Sequence, residues 1–215
     1  MLTISQEDNM ALMRRYKDKH FDLAICDPPY GIGEAGKNHK SRNVLVNSFR
    51  GQMRRRPSTS YTKKDWDNEI PSPEFFSELK RVSKNQIIFG SNYFPEICGT
   101  TFKPPRRPNF SKFIRENGFS WIIWDKINGT NDFNDCELAW TNLDLAPKVF
   151  LMSRIDAYHN KALFKKVHGA EKPVQLFQFC LGLIPSCKTM VDCFCGTGNS
   201  LVAARLKGIK AIGIE

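Results

Sequence analysis

The chain has 215 residues, 41% hydrophobic and 12% aromatic, with a formal net charge of +10. That is enough apolar material to bury one sizeable core, so a single domain spanning 1–215 with loop insertions is expected. No apolar run is long enough to span a bilayer and no secretory signal is present, so a cytoplasmic protein without membrane partners is expected.

Leu2 to Ile4 reads as a short strand, and Ser5-x-x-Asp8 as a capping-box-like start to a helix running to about Lys17. Phe21 to Cys26 is a short apolar run of the kind found in a strand buried in a parallel sheet. Asp27-Pro28-Pro29-Tyr30 therefore falls at a strand's carboxyl end, where open α/β sheets place their chemistry. Two prolines remove two N–H donors and stiffen the loop, which leaves carbonyls to face a ligand. Asp27 and the Pro28 carbonyl offer acceptors to an exocyclic amine, and the Tyr30 ring offers a stacking surface for a planar base. Asp and Pro are also ordinary turn residues, so the four letters alone leave a plain strand-ending turn open.

From Gly31 to about Asp67 no sustained period of 3.6 or 2 is present. Residues 34 to 64 carry nine cations (Lys37, Lys40, Arg42, Arg50, Arg54, Arg55, Arg56, Lys63, Lys64) against the single acid Glu34, an excess of eight. The 34–67 insertion suits a polyanion such as DNA, through phosphate neutralisation and counterion release. A solvated basic loop or a localisation-type patch has the same composition.

Ser72-Pro73 predicts a helix start, with Phe75, Phe76, Leu79 and Val82 on one face, and Gln86 to Phe89 predicts the next strand. A proline-bearing basic stretch over 103–115 precedes a strand from Ser120 to Trp124. Cys136–Thr141 and Lys148–Ser153 read as two strands joined by a turn, which predicts an antiparallel pair at the sheet edge. Lys172-Pro173 opens an apolar helix to about Ile184, stopped by Pro185.

The last segment has strand–turn–helix–strand character. Thr189 to Cys193 is the strand, Phe194-Cys195-Gly196-Thr197-Gly198 the turn, Asn199 to Lys207 the helix, and Lys210 to Ile214 the closing strand before Glu215. The turn allows close backbone approach, the helix start favours a carboxylate or phosphate, and an acid 23 positions after Asp192 suits ribose hydroxyls. The spacing F-x-G-x-G is not that of dinucleotide folds and no G-K-[ST] follows, so a nucleoside with an amino-acid tail, S-adenosylmethionine, is the cofactor expected. Seven cysteines lie scattered through these elements without a paired framework, which predicts reduced thiols and no metal site.

A D-P-P-Y loop in the first half with D-x-F-x-G-x-G near the end resembles the beta-class DNA amino methyltransferases, which place the catalytic motif before the cofactor motif. Trp121–Lys126, Glu137-Leu138-Ala139-Trp140 and the H-x-x-x-K-P of His168 to Pro173 resemble the family's intervening elements in order, so the resemblance covers nearly the whole chain. It implies a doubly wound, mostly parallel α/β sheet with an antiparallel edge pair, and methyl transfer from S-adenosylmethionine to a base in double-stranded DNA. By position, Asp27, Pro28, Pro29 and Tyr30 would be catalytic. Asp8, Lys172, Asp192, Phe194, Gly196, Thr197, Gly198, Asn199, Ser200 and Glu215 would form the cofactor site. Asp8 serves equally as a helix-capping acid.

Both bases carry an exocyclic amine, so the loop chemistry does not separate them; the resemblance implies adenine N6, because an Asp at the first loop position is commoner among the family's adenine enzymes. Cytosine N4, an RNA adenine substrate and a silent DNA-binding homologue stay open. A homodimer and a cognate restriction endonuclease are partners that the resemblance admits. Three departures stand out: Cys193 where the family usually has Pro, a short target-recognition region over 142–168, and an end at Glu215, one helix early, which predicts weak cofactor binding.

Overall fold

The computed structural model describes residues 1–33, 45–47, 53–55, 67, 69–99, 101, 103, 120–127, 134–153 and 171–215, with 45–47 and 53–55 described by backbone alone. Ten strands and five α-helices are found among them. In chain order they are β1 (Leu2–Ser5), α1 (Asn9–Arg14), β2 (Phe21–Cys26), β3 (Leu45–Asn47), β4 (Met53–Arg55), α2 (Pro73–Val82), β5 (Ser83–Phe89) and α3 (Pro95–Cys98). They continue with β6 (Trp121–Asp125), β7 (Cys136–Thr141), β8 (Lys148–Leu151), α4 (Val174–Gly182), β9 (Thr189–Asp192), α5 (Asn199–Leu206) and β10 (Lys210–Ile214).

Eight strands form one mixed sheet in the order β1-β10-β9-β2-β5-β7-β6-β8. Every pairing from β1 to β5 is parallel, as is β6 with β8, and only β7 runs against its neighbours. The alternating side chains of β2 show how the layers divide: Leu23 and Ile25 join the core under α4 and α5, whereas Ala24 and Cys26 join the core under α1 and α2. Helices thus cover both faces, and the near-continuous apolar sequence of β2 follows from burial on both sides.

Local signals account for the helix ends. Ser72 caps α2 by accepting from Phe75 N, Pro73 sits in the first turn, and Phe75, Phe76, Leu79 and Val82 are its buried face. Helix α1 departs from expectation: Asp8, not Ser5, is the cap, accepting from Ala11 N at 2.8 Å, and the helix ends at Arg14. Ser5 is instead the last residue of β1, in register with Ile214.

The expected pairing of Cys136–Thr141 with Lys148–Ser153 is also corrected. The antiparallel partners of β7 are β5 and β6, and β8 lies parallel to β6 at the edge. The burial of the strands supplies the reason. All five residues of β6 are buried, as suits an interior strand, while β8 buries no residue fully, as suits an edge strand. The chain reversal after β7 therefore leaves a one-strand gap that β6 fills.

In the 34–67 insertion, expected to lack regular structure, β3 and β4 form a two-stranded antiparallel ribbon. Strands of three residues are too short for a period of 2 to register in sequence. Among the described residues no helix is long and apolar enough to cross a membrane. The seven cysteines are free, and Cys193 is buried beside Cys26, whose thiol is pushed up by burial first and Cys193 next.

Candidate active site

Strands β2 and β9 are parallel neighbours, so the loops that leave their carboxyl ends emerge side by side at the same end of the sheet. The first loop is Asp27 to Tyr30 and the second is Cys193 to Gly198. Between them opens a cavity of about 210 Å³ with Pro29 on one wall and Phe194 on another, completed by Met10, Ile70 and Phe75.

The first loop is held from outside itself. Prolines 28 and 29 have no N–H to give, and the next two donors, Tyr30 N and Gly31 N, both reach Asp67 Oδ1, at 2.7 and 3.1 Å. Gly33 N donates to the Asp67 carbonyl at 3.0 Å, which ties the departing and returning ends of the insertion together. The Tyr30 ring stacks on Tyr93 at 5.1 Å and meets Phe94 edge-on. Gly90 lies against the ring: a Cβ there would stand 2.0 Å from Cε1 and 2.5 Å from both Cδ1 and Cζ, the geometry of an atom above the ring face.

The charged groups below the loop are paired. Tyr30 Oη donates to Asp27 Oδ1 at 2.6 Å, and Lys172 is ion-paired with Asp27 Oδ2. Lys172 also donates to Tyr30 Oη at 3.1 Å and pairs with Glu137 Oε2 at 3.1 Å, while Lys126 pairs with Glu137 Oε1 at 2.6 Å. Burial pushes the Asp27 carboxyl above its ordinary pKa, with Lys172 opposing and Glu137 assisting. Burial works to lower Lys172, but Asp27 and Glu137 outweigh it and the net direction is upward. Tyr30 is pushed well above 10 by burial and by Asp27.

The second loop is organised by Asp192. Its carboxylate is buried, accepting from Phe194 N at 3.0 Å and from Ser200 Oγ, and burial holds its pKa up at about 7. Gly196 and Gly198 adopt positive φ, +51° and +80°, and a Cβ on either would meet nothing within 4 Å. Glu215 Oε2 accepts from Gly196 N at 2.7 Å, and Asn199 Nδ2 donates to the Lys172 carbonyl at 2.8 Å. Lys172 thus touches the first loop through its ammonium and, through its backbone, the helix α5 that follows the second loop.

The residues named from sequence fall into three groups. Asp27, Pro28, Pro29, Tyr30, Lys172, Phe194, Gly196, Thr197, Gly198 and Glu215 gather at the two adjoining loops, with Asp192, Asn199 and Ser200 behind them engaged in contacts within the protein. Asp8 is placed as the cap of α1. Arg54 and Arg55 lie in β4, described by backbone alone, and Lys37, Lys40, Arg42, Arg50, Arg56, Lys63 and Lys64 lie outside the described residues, as does 154–168 of the region 142–168. Sequence reasoning missed three site residues: Glu137, Asp67 and Gly90. An acid inside the apolar run Cys136-Glu137-Leu138-Ala139-Trp140 was the signal for the first. Asp67 carried none beyond an acid beside Trp66.

Architecture and site together define a doubly wound α/β protein with a proline corner and a glycine corner at neighbouring strand ends. No family model and no curated protein matches the chain. Solved structures do match. M1.HpyAVI in its complex with SAM is similar over 100% of this chain and 94% of that one, at 20% identity and a TM-score of 0.54. M1.HpyAVI alone is similar over 100% and 92%, at 16% identity and a TM-score of 0.50. PvuII DNA methyltransferase (cytosine-N4-specific) aligns over 100% and 81%, at 14% identity and a TM-score of 0.49. The likeness to M1.HpyAVI is one of fold.

Proposed function

We propose that this protein is an S-adenosylmethionine-dependent DNA methyltransferase that methylates the exocyclic N6 amine of an adenine flipped out of duplex DNA. The observation that carries the reading is the parallel adjacency of β2 and β9, which sets an amine-accepting corner beside a glycine corner with open space over it. The shared fold with a protein solved in complex with SAM supports the choice of cofactor. The Asp at the head of the first loop supports adenine, through the resemblance to the beta-class enzymes.

The residues of the second corner fit the cofactor. Gly196 and Gly198 leave their backbone approachable, Phe194 walls the cavity beside Pro29, and Glu215 borders the same turn. Thr197 is exposed at the turn's tip. Asp192, Asn199 and Ser200 shape the turn from behind, through their hydrogen bonds to Phe194 N, the Lys172 carbonyl and each other. Bound there, S-adenosylmethionine would supply an electrophilic methyl on its sulfonium.

The lone pair of an exocyclic amine is delocalised into its ring, which makes it a weak nucleophile. Hydrogen bonds from its N–H groups to Asp27 and the Pro28 carbonyl favour a more tetrahedral nitrogen and aim its lone pair. They also stabilise the positive charge that develops there. A carboxylate has about four acceptor positions, so Asp27 keeps capacity for the amine after serving Tyr30 and Lys172. The Tyr30 ring, backed by Gly90 and Tyr93, would replace the stacking a flipped base loses.

Incubation with labelled S-adenosylmethionine and mixed-sequence DNA, followed by nucleoside analysis, tests activity and base identity together. N6-methyladenine is expected. Label on cytosine N4 would reassign the base, and absence of transfer to any DNA or RNA would overturn the reading. Asp27→Ala is expected to abolish transfer while leaving DNA affinity largely intact.

A further inference from the structure

The charges under the first corner alternate in sign along one line: Asp27 at the end of β2, Lys172 before α4, Glu137 on β7 and Lys126 after β6. The side chains of Lys172 and Lys126 retain only 3% and 6% of their exposure, so neither can turn to water for its hydrogen bonds. Lys172 has three N–H donors and three acceptors around it: Asp27 Oδ2, Glu137 Oε2 and Tyr30 Oη. Its ammonium is fixed in place by partners on the first loop and on β7.

We propose that Lys172 and Glu137 are a positioning pair acting on Asp27 with opposite sign, Lys172 keeping it an acceptor and Glu137 keeping Lys172 from claiming it wholly. The inference rests on the reading that Asp27 grips the target amine, and it adds two residues to that grip.

Each half follows from charge. Remove Lys172, and Asp27 faces Glu137 across the space it filled. Two carboxylates without a cation between them favour a proton on one, and a protonated Asp27 has lost acceptor strength. Remove the charge of Glu137, and Asp27 is the one carboxylate left paired with the Lys172 ammonium among the described residues. A carboxylate so paired holds its charge to lower pH but is a poorer acceptor for an incoming amine. Lys126, on the other oxygen of Glu137, completes a set of two acids and two bases. Among the described residues, the other titratable groups near Asp27 are Tyr30 on its own loop and Asp192 at the end of β9, which is already engaged by Phe194 N and Ser200.

The opposed signs make the pair testable apart from turnover. Selective 13Cγ labelling of aspartate, with the Asp27 resonance assigned by its loss in Asp27→Asn, gives the Asp27 titration midpoint in the ligand-free protein. Glu137→Gln is expected to lower that midpoint and Lys172→Met to raise it, each by ~1 pH unit or more. The acid limb of kcat for methyl transfer should move in the same directions, with little change in KM for DNA. Midpoints that stay in place, or move the same way in both variants, overturn the proposal. If Lys172→Met fails to fold, the isosteric Glu137→Gln decides alone: a midpoint that does not fall sinks it. Wild-type protein inactive on every substrate would instead overturn the functional reading, and the titration would still judge the pair.

Discussion

Gly90 bears directly on where Tyr30 sits. It occupies the left-handed region at φ +68°, and a methyl group on it would lie inside the Tyr30 ring's contact distance. Gly90→Ala therefore strains the backbone and displaces the ring at once. A loss of ~10²-fold in kcat is expected from misplacement of the corner, read in a single-turnover methyl-transfer assay with circular dichroism confirming the fold. Asp192 gives a prediction in pH. Its ordinary carboxyl pKa is 3.8 and burial raises it to about 7 in the folded protein. Between those values the folded state holds a proton the unfolded chain has lost, so stability is full below about 4 and falls as pH rises toward 7. Asp192→Asn keeps an acceptor for Phe194 N and a polar partner for Ser200 without the charge. It should abolish that fall and exceed wild type at pH 8 by on the order of 2–4 kcal/mol, measured by urea unfolding at pH 5 and 8. The motif letters made Asp192 legible in sequence. Gly90 was not, because its role depends on Tyr30 arriving over it from the end of β2, a neighbour of β5 in the sheet but distant along the chain.

At the scale of elements, the first corner depends on a residue outside its own motif. Two prolines leave Tyr30 N and Gly31 N as the first available donors, and one oxygen of Asp67 takes both. Asp67→Ala takes the shared acceptor from a half-buried Tyr30 N and an exposed Gly31 N that water can reach, at a cost of ~1 kcal/mol, and should lower the melting temperature and kcat together. Asp67→Asn keeps a side-chain carbonyl oxygen and should restore most of both. An Asn variant as damaged as the Ala variant would mean that the charge of Asp67, not its acceptor, holds the loop. Much at this scale was readable beforehand: the Ser72-Pro73 start of α2, the buried β2 and the closing strand–turn–helix–strand each follow from local signals. Partner choice in the sheet was not. Nothing local in Lys148–Leu151 says that β6 will take the place beside β7, since strand partners are chosen between segments distant along the chain. Glu137 reaches Lys172 only because of the same strand order.

Across the whole molecule, the most basic stretch of the sequence is fastened at both of its ends beside the proline corner. Most of the +10 formal charge comes from residues 34 to 64, and that segment leaves at Gly33 and returns at Asp67, the residue that also holds Tyr30 and Gly31. The insertion is thus joined to the proline corner at both ends. The sequence made the charge legible, and the fold adds where its two ends are fastened. If the insertion is the DNA contact, replacing Arg54, Arg55 and Arg56 with Gln should weaken duplex binding on any sequence. It should also reduce the slope of log K against log salt by up to ~3, about one for each phosphate no longer neutralised. Because those side chains serve affinity rather than the amine, kcat at saturating DNA should change little. Fluorescence anisotropy across a salt series, paired with saturating turnover, separates the cases: an unchanged slope would move the DNA contact away from the insertion, and a collapsed kcat at full occupancy would mean that the arginines help form the corner itself.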